Sequence, residues 1–262
     1  MIVTKPDIRK KIDQRKDLRS RADGVLDSLI QEFYEKVPFA THLMTAAEPN
    51  MDYYKRHTIE TILRLRMKRA VDAMAIRYFT HHDPVRARAW CHYCEDEMLH
   101  DVQFFLKDLE RIGVSDDEVY ATEPLFSTKL LIGYYQWGVE YERTPLALIS
   151  SVYFMEYVTT QTQPGWLDNL ETSMGKDKLA GARGHVDLDV SDDHDDFVWN
   201  VLMSLIHTPD DEERLIQHLK AVGRLFGAYF SELHQLTIED GDPAEESMTY
   251  LRESVEAIGA TA

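Results

Sequence analysis

Asp83-Pro84 opens, and Gly113 closes, a stretch that carries Glu97-Met98-Leu99-His100 near its centre. Aspartate caps helix starts, proline suits the first helical position, and glycine is expected just past a helix end. The stretch therefore reads as one helix from Pro84 to about Ile112. A glutamate and a histidine three residues apart lie on the same helical face. Leu99, Val102, Phe104 and Phe105 surround His100 in sequence, so the pair sits close to an apolar face.

Outward from this segment, helical periodicity recurs almost everywhere, and no convincing run of strand alternation interrupts it. A helix is predicted from about Ala22 to Lys36, with Leu26, Leu29, Ile30 and Phe33 on one face and Pro38 beyond its end. Met51 to Phe79 reads as one long helix, and Leu125 to Glu142 as another. Thr144-Pro145 starts a helix that passes through Glu156 to about Thr160, and Pro164-Gly165 opens a further short one. Gly181 and Gly184 read as a break before the His185 segment. Ser191 reads as the cap of a helix from Asp192 to Ile206, and Asp210 to His234 as the last long helix. The expectation is one all-α domain of about seven to nine helices over residues 22–238. Residues 1–21 read as a charged leader, and residues 239–262 as an acidic tail.

The bulk composition bounds the function. With 262 residues, 44% of them hydrophobic, the chain can bury a substantial core. A net charge of −17 argues against nucleic acid, which needs a basic surface, and against anionic membranes. No apolar run approaches the eighteen residues of a membrane span, and the N-terminus lacks a signal peptide's apolar segment. With only two cysteines, the expected setting is reducing and cytoplasmic.

Further candidates for chemistry lie downstream. Glu156 stands in the nearly all-apolar run from Ile149 to Val158. A buried carboxylate is costly unless it is paired or bound to a cation, which makes Glu156 the strongest single signal. His185 and Asp189 are four apart and share a face. His194, five positions after Asp189, is turned roughly 140° away on a regular helix of 3.6 residues per turn. Either the helix breaks at Ser191, or Asp192 takes the place on the shared face. The six aspartates between His185 and Asp196 could instead form a solvated loop; they lack the glycine and closing glutamate of an EF-hand. Carboxylates mixed with imidazoles suit iron or manganese better than structural zinc. Glu97, His100, Glu156, His185 and Asp189, with His194 or Asp192, thus form a candidate metal set in a helical core.

A ferritin-like bundle uses two Glu-x-x-His pairs, and this chain has one. The order Glu97/His100, then Glu156, then His185-x3-Asp189 with a nearby His194 instead resembles the haem-oxygenase-like diiron oxidases. Separations of about fifty-five and about thirty residues support the likeness, which runs from about Ala22 to His234. The resemblance implies a haem-oxygenase-like helical bundle, two Fe(II) ions, dioxygen as co-substrate and a small organic substrate from specialised metabolism. It also implies a homodimer and an external electron donor. The family pattern ends His-x3-Asp-x2-His, but Asp192 holds the last position here. Some members recruit a carboxylate from an earlier helix, for which Glu60 is the candidate. A ligand of that kind resembles the N-oxygenating members; desaturation, C–C cleavage and decarboxylation are the other outcomes in the family. Arg64 or Arg66, following Glu60, is placed to pair a substrate carboxylate, or else faces solvent.

Two other classes stay open. A metal-free thiaminase-II-like hydrolase of the same fold would need Cys91 or Cys94 as nucleophile. A helical binding protein would give Glu156 an arginine or tyrosine partner. Haem binding is disfavoured, since the first long helix offers only His42 after its end. Cys91-x-x-Cys94 falls mid-helix without the strand of a redox dithiol. His81-His82 reads as a helix-end feature, and Tyr134-Tyr135-Gln136-Trp137 as core packing or a pocket wall.

Overall fold

In a computed structural model of the protein, residues 5–191, 194–239 and 241–259 are described, with side chains over 16–188, 196–239 and 241–254. The α-helices in chain order are α1 Lys5–Lys36, α2 His42–Thr45, α3 Met51–His82, α4 Pro84–Glu97, α5 Leu106–Arg111, α6 Asp116–Ala121, α7 Phe126–Tyr141, α8 Leu146–Met174, α9 Ala180–Ser191, α10 His194–Leu205, α11 Pro209–Thr237 and α12 Pro243–Gly259. Nine of these are twelve residues or longer, and no strand occurs among the described residues. The all-α expectation holds. No helix among the described residues is long and apolar enough to cross a membrane.

Local chemistry explains most helix ends. The Asn50 side chain accepts from the Tyr53 amide at the start of α3, and Asp83 accepts from the Arg86 amide, with Pro84 at the first position of α4. Thr208 and Asp211 form a reciprocal capping box on α11. Gly113 has φ 85°, a left-handed conformation that costs glycine little, and it stops α5.

Packing places α3, α7, α8 and α11 against one another, with α4 along α3, α1 and α12 along α11, and α10 against α8. Trp90, Tyr53, Tyr153, Tyr229 and Phe79 are among the largest side chains buried completely. Each such burial contributes about 1.5–3 kcal/mol.

Four sequence expectations change. Residues 5–21 of the charged leader lie in the first half of α1, where Leu18 is buried and Arg19 pairs with Asp196. The acidic tail contains α12, and the buried Ser247 hydroxyl donates to Glu232 at 2.9 Å. An amphipathic helix hides behind acidic composition when its apolar positions are few. Pro164 does not end a helix: α8 runs through it. An internal proline costs about 3 kcal/mol, but α8 is pinned beyond it. Trp166 donates to the Tyr34 hydroxyl at 3.2 Å, and Asn169 donates to the carbonyls of Leu43 and Ala46 at 3.0 and 2.9 Å.

The fourth change bears on the site. The helix expected through Ile112 is broken: α4 stops at Glu97, a π-helical segment spans Asp101–Phe105, and α5 follows. Arg69 of α3 donates to the Met98 carbonyl at 2.5 Å and pairs with Asp101 at 2.8 Å, while Asp101 also accepts from the Val102 amide at 2.8 Å. These side chains take up backbone groups that a regular turn would pair internally. Nor do Gly181 and Gly184 mark a break; both lie within α9. A Cβ at Gly181 would overlap the Phe104 carbonyl, so glycine is what lets α9 touch the π segment. Asp108 accepts from the Gly181 and Ala182 amides at 2.8 and 2.7 Å, anchoring the start of α9.

Gly181→Ala is expected to destabilise the protein by about 1–3 kcal/mol through overpacking, whereas Gly24→Ala, which meets open space on a helix, should be neutral or stabilising. Urea unfolding of the two variants checks this; equal effects would sink the close-approach account.

Candidate metal centre

The π segment carries the Glu-x-x-His pair to its partner. Glu97 is the last residue of α4, His100 stands just before Asp101, and His185 projects from α9 beneath the contact with Phe104. One ligand atom each from Glu97, His100 and His185 lies within 4.8 Å of the others. The His100 and His185 rings have centroids 4.8 Å apart and are nearly perpendicular, at 80°. His100 is 2% exposed. Phe105 and Phe104 lie 5.2 and 5.9 Å from the His185 ring and restrict its orientation. Glu97 approaches His100 Nδ1 at 3.4 Å.

Glu156, on α8, is 6% exposed and lines the same cavity as Glu97 and His185. Its Oε1 accepts from the Tyr93 hydroxyl at 2.7 Å, which links α8 to α4 and is the tyrosine partner that the helical binding-protein alternative expects for Glu156. Burial and the charges of Glu156 and Glu97 push the Tyr93 hydroxyl well above its ordinary range, so it stays a hydrogen-bond donor. The sequence reading did not single out Tyr93. Its signal was available: it stands four residues before Glu97 on the same face of α4.

Asp189 and His194 lie on α9 and α10, but their side chains, and Asp192 altogether, fall outside the described residues. Glu60 does not join the Glu97, His100 and His185 group among the described residues. Its carboxylate is fully buried and accepts from Arg56 at 2.7 Å, Thr128 at 2.6 Å and the Leu125 amide at 3.1 Å. It ties α3 to the start of α7 and does not line the cavity. Sequence could not separate these roles, because a buried glutamate is explained equally by a metal or by three donors from other segments.

The cavity measures about 180 Å³. Leu131, Ile132, Val152, Phe154, Phe226 and Phe230 give it apolar walls. Two polar stripes cross them: His57, Thr61, Arg64 and Lys68 of α3, and Glu156, Thr159 and Gln163 of α8, each spaced so that its members share a face. Lys68 pairs with Asp72 at 2.8 Å. Burial works against the Lys68 ammonium, but Asp72 outweighs it and holds the pKa above its ordinary value. His57 accepts or donates at Tyr229 over 2.9 Å, and burial next to Arg64 pushes its pKa down to about 3. His57 is therefore neutral at pH 7.

The remaining motifs sort simply. Cys91 is exposed and Cys94 buried within α4; neither lines the cavity, and burial with nearby Asp72 pushes the Cys94 thiol up to about 12. Neither is equipped as a nucleophile. His82 bonds the Tyr78 carbonyl at 2.8 Å at the end of α3, a helix-end feature as read. Tyr135 is a cavity wall, whereas Trp137 is 44% exposed.

No family model and no curated protein matches the chain. Solved structures do. A domain of unknown function with a haem-oxygenase-like fold from Shewanella denitrificans OS217 superposes with a TM-score of 0.69 at 16% identity, covering 84% of this chain and 92% of that one. A TenA homologue from P. horikoshii OT3 gives 0.63 at 13% identity, over 82% and 97%. A CADD-like protein of unknown function from Nostoc punctiforme PCC 73102 gives 0.62 at 13%, over 84% and 100%. The chain has the haem-oxygenase-like fold. At these identities the likeness is one of fold alone.

Two outcomes follow. His57 takes up a proton near pH 6.5 when unfolded but only near 3 when folded, so the unfolded state binds more protons in between and stability falls as pH drops through that window. His57→Gln should lose less stability than the parent between pH 6.5 and 4 in urea titrations; parallel curves would refute the assignment. Glu60→Gln should lower stability by about 3 kcal/mol, as loss of a buried charge partner does, while leaving metal binding unchanged in an equilibrium dialysis with Fe(II).

Proposed function

We propose that this protein is a non-haem diiron enzyme that uses dioxygen to oxidise a small organic substrate. The observation that carries the reading is the convergence of Glu97, His100 and His185 within 4.8 Å at the edge of an apolar cavity that also holds Glu156. Two imidazoles and two carboxylates are a donor set suited to Fe(II), and the centre is largely buried. Asp189, with either Asp192 or His194, would complete the ligands. Bound there, two Fe(II) ions would supply open positions and electrons for dioxygen.

The protein's own contribution is legible. Tyr93 orients the Glu156 carboxylate through its 2.7 Å hydrogen bond. Phe104 and Phe105 fix the His185 ring. Lys68, pinned by Asp72, keeps a cation at the cavity wall shared with Glu97. The apolar walls exclude water from the substrate space. Among the outcomes considered from sequence, N-oxygenation rested on Glu60, whose carboxylate is committed elsewhere; desaturation, C–C cleavage and decarboxylation stand beside it on equal terms. An external electron donor and a homodimer belong to the same proposal.

Anaerobic titration of the metal-free protein with ferrous iron tests the reading. About two irons per chain are expected, falling to one or none in His185→Ala and in Glu97→Ala. On mixing with oxygen, a transient visible absorption band should form and be lost in Glu156→Ala. Iron binding no greater than background would overturn the proposal.

A further inference from the structure

Arg64 lines the main cavity without a carboxylate partner among the described residues. The other cavity cation, Lys68, is matched by Asp72 at 2.8 Å, and the neighbouring half-buried arginines of α3 have carboxylates of their own: Arg56 holds Glu60 and Arg69 holds Asp101. Among the described residues, Arg64 has none. Its Nη2 donates to the Thr61 hydroxyl at 3.0 Å, its guanidinium lies 4.4 Å over the Tyr229 ring and 5.5 Å over that of Phe226, and its Nη1 is buried without a hydrogen-bond partner, as are the Nε atoms of Arg56 and Arg69, so the missing carboxylate is what sets Arg64 apart. His57, one stripe position away, carries its hydrogen bond to Tyr229 and brings no negative charge. A guanidinium in a low-dielectric wall with an unused donor is expensive unless an anion arrives to use it.

The position of that charge is as informative as its solitude. Arg64 precedes Lys68 by four residues on α3, about 6 Å along the helix axis. Lys68 and Glu97 both line the main cavity and the smaller one of about 70 Å³ beside it. The stripe therefore runs from the Glu97 end of the cavity towards Trp166 and Phe230, with Arg64 set back from the metal-ligand group. Apolar side chains occupy the walls around it.

We propose that Arg64 is the substrate anchor, and that the substrate is a monocarboxylate. Its carboxylate sits in the guanidinium fork and its apolar body extends towards Glu97 and His185. The fork geometry matches a carboxylate's two oxygens. One uncompensated positive charge favours a monoanion over a phosphate dianion. The anchor names the substrate class for the diiron reading, and in that sense rests on it, but binding itself needs no metal.

The test uses the metal-free full-length protein, with hexanoate, hexanamide and 1-hexanol as probes in isothermal titration calorimetry. Hexanoate should bind at least tenfold more tightly than the two neutral probes. Arg64→Gln should erase that preference, leaving the neutral probes unaffected, and Arg64→Lys should restore part of it as a point charge. Equal binding of the three probes to the parent protein, or a hexanoate preference that survives Arg64→Gln, would overturn the anchor. Because the parent comparison needs no substitution, a variant that fails to fold leaves the test intact. Titrating the same preparations with Fe(II) and counting the bound iron separates the two proposals. Two irons with no carboxylate preference refutes the anchor alone, and a carboxylate preference without iron supports the anchor while refuting the metal centre.

Discussion

Gly181 lies so close to the Phe104 carbonyl that no side chain fits between them, and Asp108 holds the adjoining amides of α9 from the other side. That contact joins two segments separated by more than seventy residues, and the centre depends on it. His100 is carried on the irregular turn that precedes the π segment, and His185 sits one turn past Gly181, so the approach of backbone to backbone sets the approach of ring to ring. Loosening it would leave Glu97 and His100 as an ordinary surface pair. π segments are rare, and they tend to occur where function needs a side chain re-aimed.

α3 supplies the second constraint. It is a long helix that passes through the middle of the molecule with charged side chains facing inward, which is affordable only when each charge has a partner. Glu60 binds Arg56 and the start of α7, Lys68 binds Asp72, and Arg69 holds Asp101 and the broken helix in place. The helix thus builds the wall of the cavity, orders the π segment and leaves Arg64 facing the space where a substrate would lie.

How much of this can be read from sequence differs from residue to residue. The helical periodicity of α11 was plain because it buries one broad apolar face, whereas α3 buries Glu60 and Asp72 among its apolar side chains. Glu156 announced itself by its surroundings, since of the nine other residues from Ile149 to Val158 only Ser150 and Ser151 are neither aliphatic nor aromatic nor Met. Glu60 was a candidate only through the family resemblance, and its carboxylate is closed by donors from Arg56, Thr128 and the Leu125 amide, two of which lie more than sixty residues away. The break after Glu97 left no local mark. Cys94 to Ile112 contains no glycine or proline, and the interruption is stabilised by Arg69 from another helix. Pro164 failed as a stop for the converse reason, because contacts to Tyr34, Leu43 and Ala46 outweigh the missing amide.

By itself the sequence determined that the chain is helical, where most helices begin and end, and which residue types are available for a metal, because periodicity, capping and the cost of a buried charge act over a few residues. Only the tertiary structure decided which of those carboxylates and imidazoles meet. That choice depends on long-range approaches such as Gly181 to Phe104, and on which donors reach each buried acid first. The same acid is a strut when three donors close around it, as at Glu60, and a candidate ligand when it faces a cavity beside two imidazoles, as at Glu156.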